Sequence, residues 1–337
     1  MTERIDVAAL DDISDDAQHV MVLSTARRHA RGVQRLPDRF DRGRRVAAVQ
    51  VETDEQAREV LRVLDRPGRV LHLDVERKQD LHLMAVSHEV VRSAEVRQIK
   101  PNDLTVEALQ ALLVDRVGPD LSDVVVTVLG TGNLAFKFAL RLAESGARVG
   151  MTGRDSDKVA LLVQAINAVL PEHTPYRLSA GRLRGTRVLV SAVTATAVVG
   201  PEWLSDLDDQ ALCVDVGIGN LAPRFIESAI AAGHECVRLD VRSAGDPLPL
   251  HPNPFFEYVA GRRAVAGATI VAGGLIGQYG EVVVDEIKRP TSVIGVANGT
   301  GGLLGPDAWP EPVAHRVERV HAAILDLTQR DEEAANE

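Results

Sequence analysis

VVVTVLGTGNLAFKFALRLAESG, residues 124–146, joins a β-branched run to an amphipathic helix through Gly130-Thr131-Gly132-Asn133-Leu134-Ala135. A strand that runs into G-x-G-x-x-A and straight on into a helix has a physical reading. Gly130 permits the tight turn, Gly132 lets the backbone approach a pyrophosphate, and the small Ala135 lets helix and strand pack closely. The phosphates then lie at the positive end of the helix. The six residues from Gly130 to Ala135 are therefore expected to cradle a dinucleotide.

The next strand ends in Thr152-Gly153-Arg154-Asp155. A carboxylate at that tip would accept the ribose 2′-OH of NAD, whereas a guanidinium suits the 2′-phosphate of NADP. Arg154 stands there with no acid before it, so NADP is expected over NAD. Two further strand ends face the same crevice in this pattern. One is RVLVSAV, leading to Thr194; the other is ALCVDV, leading to Gly217 and Gly219.

Around this segment the chain alternates strands with helices. Strands at 19–23, 46–51 and 70–75 are followed or separated by helical patterns at 53–64 and 80–91, and a helix at 105–118 closes the first series. Thr53 with Gln56 reads as a capping box. From Asp123 a doubly wound series runs to about residue 241. Residues 268–287 read as a short strand, a glycine hinge at Gly273-Gly274 and a helix that carries Gln278 and Tyr279 towards an interdomain cleft. Residues 315–327 read as a last helix that packs back on the first domain.

The expected architecture is α/β with two domains. Residues 1–118 form a smaller N-terminal substrate domain, 119–300 a Rossmann domain that binds NADP, and 301–337 a C-terminal helix and tail. A length of 337 residues agrees with two domains at roughly 100 to 200 residues each.

Composition narrows the function classes. There are 48 acidic residues against 38 Lys plus Arg, and only 3% are aromatic, which argues against nucleic-acid binding. No run approaches the ~20 apolar residues of a membrane span, and the N-terminus lacks the apolar core of a secretion signal, so a cytoplasmic protein is expected. Cys213 and Cys236 lie in apolar runs and read as small buried hydrophobes rather than a disulfide framework. Ten histidines show no metal-binding spacing, and no metal is expected. Phe255 and Phe256, in a proline-rich stretch at 243–258, suggest a loop packed on its own domain or a homodimer contact.

The order of these parts resembles the amino-acid-dehydrogenase-like Rossmann superfamily, which includes methylenetetrahydrofolate, methylene-tetrahydromethanopterin and shikimate dehydrogenases. VDVGIGN (214–220) is similar to the VIDVGIN of the folate enzymes, VAGGLIG to their VPGGVGP, and TGRDSDK (152–158) to the cofactor-discriminating loop of the methanopterin and shikimate enzymes. The resemblance covers roughly residues 100 to 290. It implies a substrate between the domains, a lysine from the first domain and a carboxylate near the linking helix. On that basis Asp103 takes the carboxylate position, Lys78 or Lys100 supplies the ammonium, and Asn102 with Gln278 and Tyr279 contacts substrate. Lys137, Lys158 and Lys288, the other three of only five lysines, read as surface charges.

The Tyr-x-x-x-Lys of the folate enzymes and the Asn-Arg-Thr loop of the shikimate enzymes are absent, which leaves the substrate open. The implied activity is hydride transfer between NADP and a small polar carbonyl, imine or methylene-bridged compound. The alternatives are a methylene-tetrahydrofolate or methanopterin-type dehydrogenase proper, and a non-catalytic dinucleotide sensor or assembly protein.

Overall fold

Strict alternation in the first strands sends neighbouring side chains to opposite faces. In β1 (His19–Ser24), Val20 and Val22 are buried on one face and Met21 on the other. The computed structural model describes residues 17–24, 32–41, 44–76, 81–244, 256–309 and 311–335, with Leu10 and Ile13. Lys78 and Phe255 lie outside the described residues, as does the Phe256 side chain. Contacts group the chain into two compact units, Met1–Leu250 and His251–Glu337.

The first unit holds two sheets. The first adds β2 (Gln34–Asp41), β3 (Arg44–Val51), β4 (Val70–Asp74) and β5 (Glu95–Ile99) to β1, in the order β2-β3-β1-β4-β5. All pairings are parallel except that of β2 with β3. Helices α1 (Asp54–Leu64) and α2 (Leu83–Val90) cover the face that carries Val20 and Val22. Thr53 caps α1 by accepting from the Gln56 amide, and Gln56 Oε1 accepts from the Glu52 amide at 2.9 Å.

The second sheet consists of β6 (Val125–Leu129), β7 (Arg148–Thr152), β8 (Ser179–Ala180), β9 (Thr186–Ser191), β10 (Leu207–Asp215) and β11 (Glu235–Arg238). Its order is β8-β7-β6-β9-β10-β11 and every pairing is parallel. This is the 3-2-1-4-5-6 order of the doubly wound fold, with its switch point between β6 and β9. Helices α4 (Asn133–Glu144) and α5 (Ser156–Val169) pack on one face, and α6 (Pro223–Ala231) with Trp203 on the other.

Helix α3 (Pro101–Arg116) links the two sheets and begins earlier than the sequence pattern suggested, because Pro101 opens it and Lys100 is its cap residue. A proline suits that first position, where its missing N–H costs nothing. A single core runs from Met21, Val46 and Ala48 of the first sheet through Leu109 and Leu113 of α3 to Val128 and Phe138. Arg39, buried on β2, donates to the Ala244 carbonyl at 3.2 Å. Cys213 and Cys236 are register partners on β10 and β11 and are free thiols. A hydrogen bond to Cys236, with burial second, pushes the Cys213 thiol well above its ordinary range, which keeps it inert.

The second unit departs from expectation. Residues 268–287 contain β13 (Ala268–Ala272) and β14 (Val282–Val284), with glycine-rich turns between them and no helix. The three valines of β14 are all buried, pairing parallel to β13 and antiparallel to β15 (Val293–Val296), and β-branching favours that choice over a helix. The sheet is completed by β12 (Arg262–Val265), after the short α7 (Phe256–Val259). Within this unit Val320 and Ile324 of helix α8 (Glu311–Ala335) bury against Ala268, Ile270 and Val284. Among the described residues no helix is long and apolar enough to cross a membrane, and no group of side chains is placed to hold a metal ion.

A core shared by both sheets of the first unit makes a definite prediction. Phe138→Ala, at a side chain 1% exposed, should cost about 3–5 kcal/mol in urea unfolding. Hydrogen-exchange protection should fall together in β1 and β6. A loss confined to residues 125–238 would show that the two sheets unfold separately.

Candidate functional site

At the switch point the ends of β6 and β9 lie close together. Gly130 has φ +142°, and a Cβ there would lie 2.6 Å from the Ala192 carbonyl oxygen and 3.0 Å from the Ala135 Cβ. Only glycine fits that approach. The Gly130 amide donates to the Thr152 carbonyl, and the Ala192 amide to the Leu129 carbonyl, both at 2.8 Å. These bonds tie the ends of β6, β7 and β9 into one rim.

Gly132 is different. It is the N-cap residue of α4, and a Cβ built on it meets nothing within 4 Å. No side chain caps α4 and its first turn carries no acid, so its start keeps the positive bias of a helix N-terminus. Thr131 lies against Gly153, while Asn133 and Leu134 begin α4 and Ala135 is fully buried beneath it. There is thus room beside Gly132 at the start of α4.

Arg154 is exposed just beyond β7, next to half-buried Thr152 and Gly153. Asp155 caps α5 by accepting from the Lys158 amide at 3.0 Å, and Asp157 follows in the first turn of that helix. The Asp155 carboxylate is thus engaged locally while the guanidinium beside it is in solvent.

The third and fourth strand ends are held by a residue whose role the sequence did not reveal. Asn220 is fully buried. Its Nδ2 donates to the carbonyls of Val193 at 3.1 Å and Ala195 at 2.7 Å, and its Oδ1 accepts from Ser191 Oγ at 3.0 Å and the Val193 amide at 3.2 Å. Asp215 Oδ2 accepts from the amides of Gly219 at 2.7 Å and Asn220 at 3.0 Å. The loop bearing Thr194 and the turn bearing Gly217 and Gly219 are thereby stapled together. Asp215 Oδ1 is buried and has no hydrogen-bond partner among the described residues.

A charged cluster forms where the first sheet, α3 and α4 meet. Glu76 Oε2 accepts from the Asn102 amide at 2.7 Å, and Asn102 Nδ2 reaches Asn133 Oδ1 at 3.4 Å. Asp103 is not the cap of α3; its carboxylate pairs with Lys137, whose Nζ also lies 4.0 Å from Glu76 Oε1. Lys100, exposed, lines the same groove of about 450 Å³ between α3 and α4, together with Asp103, Leu104, Glu107, Lys137 and Arg141. Thus Asn102, Asp103 and Lys100 come together, and the lysine that pairs with Asp103 is Lys137 of the glycine-loop helix. Glu76 and Lys137 escaped sequence reading. Glu76 sat in a run of charges, and only the register of α4 against α3 brings Lys137 to Asp103. Gln278 and Tyr279 are exposed in a turn of the second unit, not on a helix.

Asn220→Ala should destabilise the chain by about 3 kcal/mol, because it orphans buried carbonyls and amides on two loops. Asn220→Asp should fail similarly, since a carboxylate cannot donate to the Val193 and Ala195 carbonyls. A thermal midpoint unchanged in both variants would remove Asn220 from this role.

No family model matches the sequence, and no curated protein matches it. Similar solved structures include a dipicolinate synthase chain from Bacillus halodurans, 16% identical over 58% of this chain and 65% of that one, with a TM-score of 0.36. L-Tryptophan dehydrogenase from Nostoc punctiforme is 14% identical over 58% of both chains, with a TM-score of 0.37. A shikimate dehydrogenase in complex with NADP+ is 14% identical over 67% of this chain and 87% of that one, with a TM-score of 0.43. The chain spans less than two thirds of the length of the first two.

Proposed function

We propose that the chain is an NADP-dependent oxidoreductase acting on a small polar carbonyl, imine or methylene-bridged compound. One observation carries the reading: an uncapped helix N-terminus with open space at Gly132, set at the switch point of a 3-2-1-4-5-6 parallel sheet. Ligands of such sheets bind at that crevice. The amides from Gly130 to Ala135 would hold the pyrophosphate, Arg154 the 2′-phosphate, and the stapled loops at Thr194 and Gly217–Gly219 the nicotinamide end. Bound there, the dinucleotide supplies or accepts a hydride.

The chain's own residues would do the rest. Rigid loops fixed through Asn220 exclude sliding of the crevice walls. Asp103, Lys100 and Asn102 provide charge and hydrogen bonds beside the start of α4, where a substrate oxygen or nitrogen must change its protonation as hydride moves. Preference for NADP is supported by the free Arg154 and by the engagement of Asp155 in capping α5.

Differential scanning fluorimetry tests the cofactor. NADPH at about 100 times its dissociation constant should stabilise the fold by about 2.7 kcal/mol. NADH should do so only at much higher concentration, and Arg154→Ala should erase most of that preference, a loss of about 1.5–3 kcal/mol in NADPH binding. Gly132→Ala should leave the unliganded midpoint unchanged, since its methyl meets only open space, yet abolish the NADPH shift. Stronger protection by NADH than by NADPH would overturn the choice of NADP. Protection by neither would overturn the function.

A further inference from the structure

We propose that Cys213 and Cys236 form a redox-active dithiol, a site that hydrogen peroxide closes reversibly into a disulfide between β10 and β11. The chain has two cysteines, and the fold makes them register partners on neighbouring parallel strands. Side chains at registered positions stand on the same face of a sheet. Cys236 accordingly packs against the buried cluster that holds Cys213, Trp203, Phe225 and Ala229. The Cys213 thiol hydrogen-bonds to Cys236, so the two sulfurs already meet. The pair stands apart from the glycine loop, and its chemistry does not depend on the dinucleotide reading.

Strand spacing sets the Cα atoms of such a pair about 4.8 Å apart, within the ~4.4–6.8 Å that a disulfide spans. The Cβ atoms point out of the sheet side by side and keep nearly the same spacing, a little beyond the ~3.5–4.5 Å of a relaxed bridge. Closure therefore draws the strands together by roughly half an ångström. β11 can yield to this, because it has four residues, stands at the edge of the sheet and among the described residues pairs only with β10. A bridge that strains its strands is easily reduced again, which suits a reversible site and not a permanent staple.

The two thiols take different parts. Cys213 is fully buried, whereas Cys236 is half-buried on the edge strand, within reach of a small oxidant. The hydrogen bond from Cys213 holds the Cys236 thiol below its ordinary range, and the thiolate is the form that attacks. Cys236 Sγ attacks one oxygen of hydrogen peroxide: an S–O bond forms, the O–O bond breaks, and the departing hydroxide takes a solvent proton and leaves as water. The product is a sulfenic acid. Its formation removes the thiolate whose hydrogen bond, ahead of burial, keeps the proton on Cys213. Cys213 Sγ then attacks Cys236 Sγ; the S–S bond forms, the S–O bond breaks, and the hydroxide leaves as water with the Cys213 proton. In all, two thiols lose two electrons and one peroxide is reduced to two waters. An external dithiol such as dithiothreitol reverses the step by thiol–disulfide exchange and is itself oxidised.

Because the sequence has no third cysteine, the test needs only the intact chain and hydrogen peroxide. One equivalent of peroxide should remove both free thiols from the folded protein, lower its monomer mass by two hydrogens and link the peptides that carry Cys213 and Cys236. Dithiothreitol should restore both thiols. The reaction should run faster in the folded chain than in the same chain unfolded in urea, where the cysteines are ordinary thiols without register. Cys213→Ser should stop at a sulfenic acid on Cys236, trapped as its dimedone adduct, and Cys236→Ser should leave Cys213 unoxidised. The wild-type comparison decides by itself where either variant fails to fold. Thiols that persist in the folded chain and disappear only in urea overturn the proposal. So do disulfides formed only between chains, and so does oxidation that ends at a sulfinic acid on Cys236 with Cys213 still reduced.

Discussion

Two strand ends come within van der Waals contact at Gly130, and the geometry of the site follows from that approach. A side chain at 130 would collide with the Ala192 carbonyl, so glycine there lets the ends of β6 and β9 lie side by side. The chain must turn sharply there with φ at +142°, and the turn leads into the start of α4. Buried Ala135 lets α4 sit close to the sheet, and Phe138 one turn later anchors the same helix in the shared core. The fold and the cradle are therefore products of the same few small residues.

What was legible in the sequence was local in origin. The glycine loop, the strand before it and the helix after it are contiguous, so their periodicity and turn chemistry could be read without a partner. Thr53 was readable as a cap for the same reason. The pairing of Lys137 with Asp103 was not, because it joins positions on two helices whose faces meet only after the sheets have packed. Asn220 gave a similar lack of warning: its four bonds reach back to residues 191–195, and nothing in VDVGIGN marks its side chain as a staple. The stretch 268–287 misled because glycines followed by EVVVDEI were read as a hinge and helix, whereas three buried valines satisfy a strand better.

Charge is arranged locally against an acidic background. The chain has a formal charge of −10, yet α4 begins without an acid and Arg154 stands free at the end of β7. On the neighbouring wall, α3 presents Asp103 and Glu107 four residues apart, and α4 presents Lys137 and Arg141 with the same spacing. Arg141 is engaged by Gln110 Oε1 at 2.9 and 2.6 Å, and Lys137 pairs with Asp103. Both walls of the groove carry charges of both signs, with Lys100 beside Asp103 and Glu107 at α3 and Glu144 beside Lys137 and Arg141 on α4.

A crystal structure grown with NADPH tests most directly whether the glycine loop beside Gly130 holds a dinucleotide. The pyrophosphate should lie on the amides of residues 130–135, the 2′-phosphate at Arg154, and the nicotinamide beside the loops joined by Asn220. Density for the dinucleotide in any other part of the molecule, or a filled cradle with the 2′-phosphate turned away from Arg154, would contradict it.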